Sequence, residues 1–415
     1  MVFRALCVAS TAEISKENLG KGYQIGEAIL KVLAFVDDLA TLNKSHQDTY
    51  QAHDRVKWFS DKKRLLLNAL KCLLLCINVK SKDVIPKLMI GETALKVVNK
   101  APYLGDTFNE NGDNNDLIAD RTKKAKAYTI NAMSLCAEIT MGIFTIPTLL
   151  LLYRSVFIHI VLYNSQAWSN LTTKNIADLQ VVQLNYIKRM LHAPRSTSNA
   201  VTFMETGTIP IENEIHIKQL TFLHHILTLE KDDPVSRTYE QQINFSSEPN
   251  WANDVVKLKS KYKITETDEE IKLRSKDGWK RYVKDKVKTF VAAKLRAQAA
   301  EQKCGNKLLF PENIITQPYL NKLPSANARK IFHMRSGTID LRAIRKYKYG
   351  DERSCRLCND GSEDINHVIN HCSKIERTCT IDVYSTNCDE LMEMSKRLIM
   401  FDQEVEEMEE QIIDS

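Results

Sequence analysis

The sequence predicts an α+β fold: short antiparallel β elements with helices at the start, then a mainly helical body and a small Cys/His unit. Three observations predict it. Short apolar runs separated by turn residues fill the opening of the chain. Apolar residues recur at three and four spacings from Leu117 to about Glu230. Three cysteines and a histidine then fall within the eighteen residues Cys355 to Cys372.

The elements follow in order. ILKVLAFVDDLATLN (Ile29 to Asn43) reads as two short strands around the adjacent acids Asp37 and Asp38, a hairpin pattern. DTYQAHDRVKWFSDKKRLLLN has helical spacing, and KCLLLCINV (Lys71 to Val79) has strand character. KLMIGETALKVVNKAPYLGDTF holds a Gly-Glu turn between apolar runs, then a second short strand around Tyr103 and Leu104. The turn-rich NENGDNND closes a first region, 1–115. A helical domain is expected over 116–235, with HAPRSTSNA and ETGTIPIEN as breaks between helices. The polar stretch Asp232 to Asn250, with two prolines, reads as a second boundary. A basic helical linker region (236–325) follows, with a long helix from Trp279; a Cys/His unit (326–375) and an acidic helical tail (376–415) complete the chain.

A chain of 415 residues holds two to four domains, and 43% apolar with 27% charged residues is a globular composition. The net charge of +6 is unevenly spread. Asp254 to Arg296 carries fourteen Lys/Arg against seven Asp/Glu, whereas Asp389 to Ser415 carries ten acids and two bases. A basic middle suits a polyanion such as nucleic acid, and equally suits a solvated helix face. The N-terminus lacks a signal-peptide apolar core. Ile143 to Tyr163 is the most apolar window, but Pro147, Arg154 and His159 interrupt it, so a buried core helix is expected there and no membrane partner. Ten cysteines, scattered apart from one cluster, suit a reducing intracellular compartment, the nucleus included.

That cluster, CRLCNDGSEDINHVINHC, has the spacing C-x2-C-x8-H-x4-C. Cys355 and Cys358 stand one turn apart, Gly361 permits a reversal, and His367 with Cys372 closes a tetrahedron. Zinc suits three thiolates and an imidazole, and a full set of four protein ligands makes the site structural. His371 is a rival for the histidine position.

Asp37 and Asp38 pose a different problem. Adjacent carboxylates among apolar strands repel, and a divalent cation relieves that repulsion. An Asp-Asp turn at a surface is the plainer reading. The context favours the first: LAFVDDLATL resembles the aromatic-x-Asp-Asp box of reverse transcriptases, in the form usual for non-LTR (LINE-type) retrotransposons. LLLNALKCLLLCI resembles the segment after that box, with Asn68 and Lys71 at the family's Asn and Lys. APYLGDTF resembles the family's YLG primer-grip region, with Tyr103, Leu104 and Gly105 matching. LLYRSVFIHIVLYNSQAW and the helices after it resemble the thumb, and the Cys/His unit resembles the C-terminal zinc knuckle.

The resemblance implies a partial palm, a thumb and a knuckle from an RNA-directed DNA polymerase, with Asp37 and Asp38 as catalytic-site acids and RNA or an RNA–DNA hybrid as partner. It also implies a third aspartate and a fingers region ahead of the box. Residues 1–28 contain no aspartate, so the expectation is an inactive fragment in which Mg²⁺ would bind only if the palm were completed. An RNA-binding protein that keeps thumb and knuckle without catalysis is the alternative. The expected nucleic-acid contacts are Tyr103, Gly105, Lys123 and Lys124, then Trp279, Lys280, Arg281 and Lys284, where an aromatic is interleaved with bases. Arg121, Lys188, Tyr282 and the bases Arg335, Arg342, Arg345, Lys346 and Lys348 ahead of the knuckle belong to the same expectation.

Overall fold

The computed structural model describes residues 21–25, 27–35, 38–79, 84–138, 145–245, 249–301 and 310–413. The chain is α+β, mostly helical with short strands. It divides into two compact units, one within 1–123, 163–178 and 215–283, the other within 124–162, 179–214 and 284–415.

The first unit holds the described strands. They form antiparallel pairs β1 (Tyr23–Ile25) with β2 (Ala28–Leu30), and β3 (Val32–Phe35) with β4 (Asp38–Thr41). A parallel pair follows, between β5 (Leu73–Leu75) and β8 (Lys96–Val98). The hairpin β6 (Met89–Ile90) and β7 (Thr93–Ala94) lies in the crossover between them, and β9 (Lys100–Tyr103) pairs with β10 (Asp106–Asn109). The parallel pair departs from the expected antiparallel set. The connection from Leu75 to Lys96 is long enough to return the chain in the same direction, which a tight turn cannot do.

Strands β4 and β5 are buried without alternation because both faces are covered. Leu39 and Leu74 enter one cluster with Ala52, Val56 and Phe59 of the helix His46–Lys62. Their neighbours Ala40 and Leu75 point the other way, into a cluster with Ala101 and Tyr103. The helix starts at Ser45, whose Oγ accepts from the Asp48 N–H at 3.1 Å and donates to Asp48 Oδ2 at 2.7 Å.

Asp232 to Asn250, expected as a boundary, contains the helix Pro234–Asn244. Asp233 caps it and Pro234 occupies the first turn, where its missing N–H has no helical partner to lose. The proline starts this helix; it does not break one.

In the second unit the described part of the apolar window is helical over 146–161, with one face buried and Leu151, Arg154 and His159 exposed; Ile143 and Phe144 lie outside the described residues. Ile146–Leu152, a π turn Tyr153–Phe157 and Ile158–Val161 run on from one another, with Pro147 in the first turn. Leu149, Tyr153, Phe157 and Val161 are buried, and the Phe157 and Tyr186 rings pack at 4.8 Å. Among the described residues no helix is long and apolar enough to cross a membrane. The acidic helix Cys388–Ile413 packs on Ser325–Arg335. It buries Leu391, Met394, Leu398, Phe401 and Val405 at heptad-like spacing and turns its glutamates outward.

Candidate metal centre and the acidic hairpin

The Cys/His segment folds back on itself before any ligand is considered. The Cys355 N–H donates to Gly361 O at 3.1 Å, and Ser354 and Ser362 form an isolated antiparallel bridge. Gly361 has φ +69°, and a Cβ there would lie 2.8 Å from His367 Nδ1. Glycine is thus needed twice, for the left-handed turn and for the close approach of the imidazole. His367–His371 is a π turn, in which the Cys372 N–H donates to His367 O at 2.7 Å. Five residues per closure bring His367 and Cys372 to one side.

The result is a group of four ligand atoms from Cys355, Cys358, His367 and Cys372, all within 4.8 Å of one another. Cys355 Sγ and Cys372 Sγ are 3.8 Å apart; Cys358 Sγ and His367 Nε2 are 3.3 Å apart. Metal–sulfur bonds of ~2.3 Å and a metal–nitrogen bond of ~2.0 Å in a tetrahedron give edges of about 3.8 and 3.5 Å, so the donor set fits one ion. His371 is exposed and stands outside the group. Burial pushes the Cys372 thiol up to about 12, with the neighbouring Cys355 sulfur adding to the rise. A bound cation relieves that crowding by taking the thiolates.

Three residues that sequence reasoning missed hold this loop. Glu363 is fully buried and accepts from the Arg356 guanidinium at 2.8 Å and from the N–H groups of Arg356 and Arg342 at 2.9 and 3.0 Å. Arg356 lies inside the C-x2-C step, so this pair clamps both ends of the turn. Arg397, 1% exposed, donates to Ile369 O in the π turn and to Cys379 O, both at 2.9 Å. A basic residue in the middle of an acidic amphipathic helix was the available signal.

The acidic hairpin is described in part. Asp38 begins β4 opposite Phe35, while Asp37 and Val36 lie outside the described residues. Tyr103, in the same unit, has its phenol pushed up by burial and by the negative charge of Asp38, so the two side chains are electrostatic neighbours. Among the described residues Asp38 belongs to no group of three metal-capable side chains.

The YLG stretch is a tight turn. β9 ends at Tyr103, and Leu104 (φ 45°) and Gly105 (φ 84°) form a two-residue connection with both angles positive. Tyr163 Oη donates to Leu104 O at 3.1 Å and Arg121 donates to Gly105 O at 2.9 Å. Arg121 also pairs with Asp106 and is buried, so it braces this turn and has no face left for phosphate.

The other expected contacts divide. Lys123 and Lys124 are exposed on the helix Asn115–Glu138, and Lys280, Arg281 and Lys284 on Lys276–Ala300. Trp279 is fully buried with its indole N–H donating to Leu220 O at 2.7 Å, which removes it from any stacking surface. It heads a stripe of Val283, Val287, Val291 and Leu295, all buried at a spacing of four, and that stripe was visible in the sequence. Tyr282 donates to Glu266 at 2.8 Å. Lys188 is buried and donates to Arg195 O and Thr197 O. Of the bases before the Cys/His segment, Arg335 is buried against Glu205, Arg342 donates to Ser354 O, Arg345 to Thr338 O and Lys348 to Asp340. These are structural bonds; Lys346 is exposed.

Comparison of the chain with models of protein families found no match, and comparison with curated proteins found none.

Proposed function

We propose that the chain is a segment of a non-LTR retrotransposon reverse transcriptase, containing part of the palm, a thumb and a zinc knuckle, and that it binds RNA or an RNA–DNA hybrid. The observation that supports this reading is the packing of Ala40, two residues after Asp38, in one cluster with Tyr103, which brings the two separate motifs of the polymerase resemblance together in one unit. The metal at the Cys3His group is zinc, held by Cys355, Cys358, His367 and Cys372 in a closed, structural set. The nucleic-acid contacts are exposed bases such as Lys123, Lys124, Lys280, Arg281 and Lys284, which track phosphates without reading sequence.

The second reading, RNA binding without catalysis, is favoured by the exposure of Lys123, Lys124, Lys280, Arg281 and Lys284, which requires no completed palm. Two-metal phosphoryl transfer needs carboxylates on both sides of the ion pair. The chain alone is therefore expected to leave a primer unextended on an RNA template with Mg²⁺ or Mn²⁺. Incorporation that disappears in Asp37→Ala would overturn that expectation. Salt-dependent binding to an RNA–DNA hybrid tests the broader reading, and its absence at low salt would sink it.

A further inference from the structure

The helix His46–Lys62 faces its own core with Ala52, Val56 and Phe59. Its opposite stripe is unusual for a solvated face. Gln47, Gln51, Arg55, Trp58 and Lys62 follow one another at spacings of three and four, and with Lys21 the first four line a cleft of about 810 Å³. Trp58 is 42% exposed at the cleft wall. The Arg55 guanidinium lies 3.6 Å from its ring centroid, and Lys62 Nζ lies 4.6 Å from it.

An exposed indole on a helix is ordinarily covered by apolar neighbours or avoided, because it leaves a large apolar face in water. Here cations hold it. From Asp54 to Arg64 there are five bases against two acids, so the field at the cleft end is positive. Of the acids lining the cleft, Asp48 has both oxygens engaged, by Ser45 and by the Lys21 N–H at 3.0 Å, and Asp54 is exposed next to Arg55. Glutamine amides, a guanidinium plane and an indole beside clustered ammonium groups suit unpaired nucleobases on a phosphate backbone.

We infer that this stripe is a binding site for single-stranded RNA, in which an unpaired base stacks on the Arg55–Trp58 pair, phosphates meet Lys62 and its basic neighbours, and Gln47 and Gln51 contact base edges. The inference rests on the reading of the chain as an RNA-binding protein. It adds a stacking site on a helix that lies apart from the hairpin, the YLG turn and the Cys/His unit in sequence.

The four tryptophans make it directly testable. Trp168, Trp251 and Trp279 are buried, and Trp58 alone is exposed. Titrating the full chain with a single-stranded oligo(A) is expected to quench tryptophan emission, and Trp58→Phe is expected to abolish the quenching while retaining most of the affinity. Trp58→Ala should weaken binding about tenfold, the usual scale for one stacked base. Lys62→Ala with Lys63→Ala should lower the slope of log affinity against log salt by roughly 1.4. If RNA binds with unchanged emission and Trp58→Ala binds as well as the parent, the stripe is not the site, although the wider RNA-binding reading survives. If an RNA–DNA hybrid binds but oligo(A) does not, the inference alone fails. If neither binds, both fail.

Discussion

Cys358 Sγ stands 3.3 Å from Nε2 of His367, and the neighbouring imidazole of His371 is exposed outside the ligand group. The two histidines are four residues apart, one helical turn in an ordinary α-helix, so sequence spacing alone leaves both in play. The π turn separates them by widening the ring that Cys372 closes. The expected outcome is one zinc per purified chain, lost in His367→Ala and kept in His371→Ala. Metal analysis of the two variants checks it; equal retention by both would refute the assignment.

Gly350 and Gly361 make a matched pair. Both have φ above +60°, but a Cβ at Gly350 meets nothing within 4 Å, whereas one at Gly361 reaches the His367 ring. Gly350→Ala is expected to cost about 1–3 kcal/mol of stability from backbone strain alone, leaving zinc affinity unchanged. Gly361→Ala adds displacement of a ligand and is expected to weaken zinc binding at least tenfold, the scale on which disturbed ligand orientation acts. Competition against a chromophoric chelator measures both, and equal affinities for the two variants would mean that the contact has no role.

The legible parts of this molecule share a physical property: their determinants are close together in sequence. The four ligands fall within eighteen residues, and the hairpin around Asp37 and Asp38 was readable as two strands because its pairing is local. The misread parts depend on distant partners. Trp279 resembles a stacking aromatic because Lys280 and Arg281 flank it; the four-residue stripe it heads is local and marks it as core, whereas its hydrogen-bond partner Leu220 is distant in sequence. Arg335 looked like a phosphate contact because its partner, Glu205, lies far back along the chain. Trp58 is illegible for the converse reason: a helical pattern tells that one face is apolar, not that an exposed aromatic opposite it gathers cations.

Arg335 and Glu205 form a buried pair whose removal should show in stability before anything else. Arg335 Nε donates to Glu205 Oε1 at 2.9 Å, and Tyr319 Oη donates to Oε2 at 2.8 Å. Glu205 is fully buried. Arg335→Ala strands that carboxylate in an apolar interior, at an expected cost of about 3–5 kcal/mol. Tyr319→Phe leaves the ion pair intact and should cost only about 1 kcal/mol. Urea unfolding orders them; a Tyr319→Phe loss equal to that of Arg335→Ala would show that the charge pair has no special weight.

His333 gives the second unit an acid-sensitive element. Burial depresses its imidazole to about 4, and the charges of Lys330, Arg345 and His192 push in the same direction. Its Nδ1 lies 2.9 Å from Thr338 Oγ1. The ordinary value is 6.5, so above that pH the ring is neutral both folded and unfolded and contributes no pH dependence. As pH falls from 6.5 towards 4 the unfolded chain takes up a proton that the folded chain refuses, and stability is lost across that window. The total is at most about 3.5 kcal/mol, since each unit of difference is worth ~1.4 kcal/mol. His333→Asn keeps a polar group facing Thr338 and cannot titrate. Its unfolding free energy should therefore change less between pH 6.5 and 4 than that of the parent chain. Parallel curves for the two proteins would place the acid sensitivity in other groups.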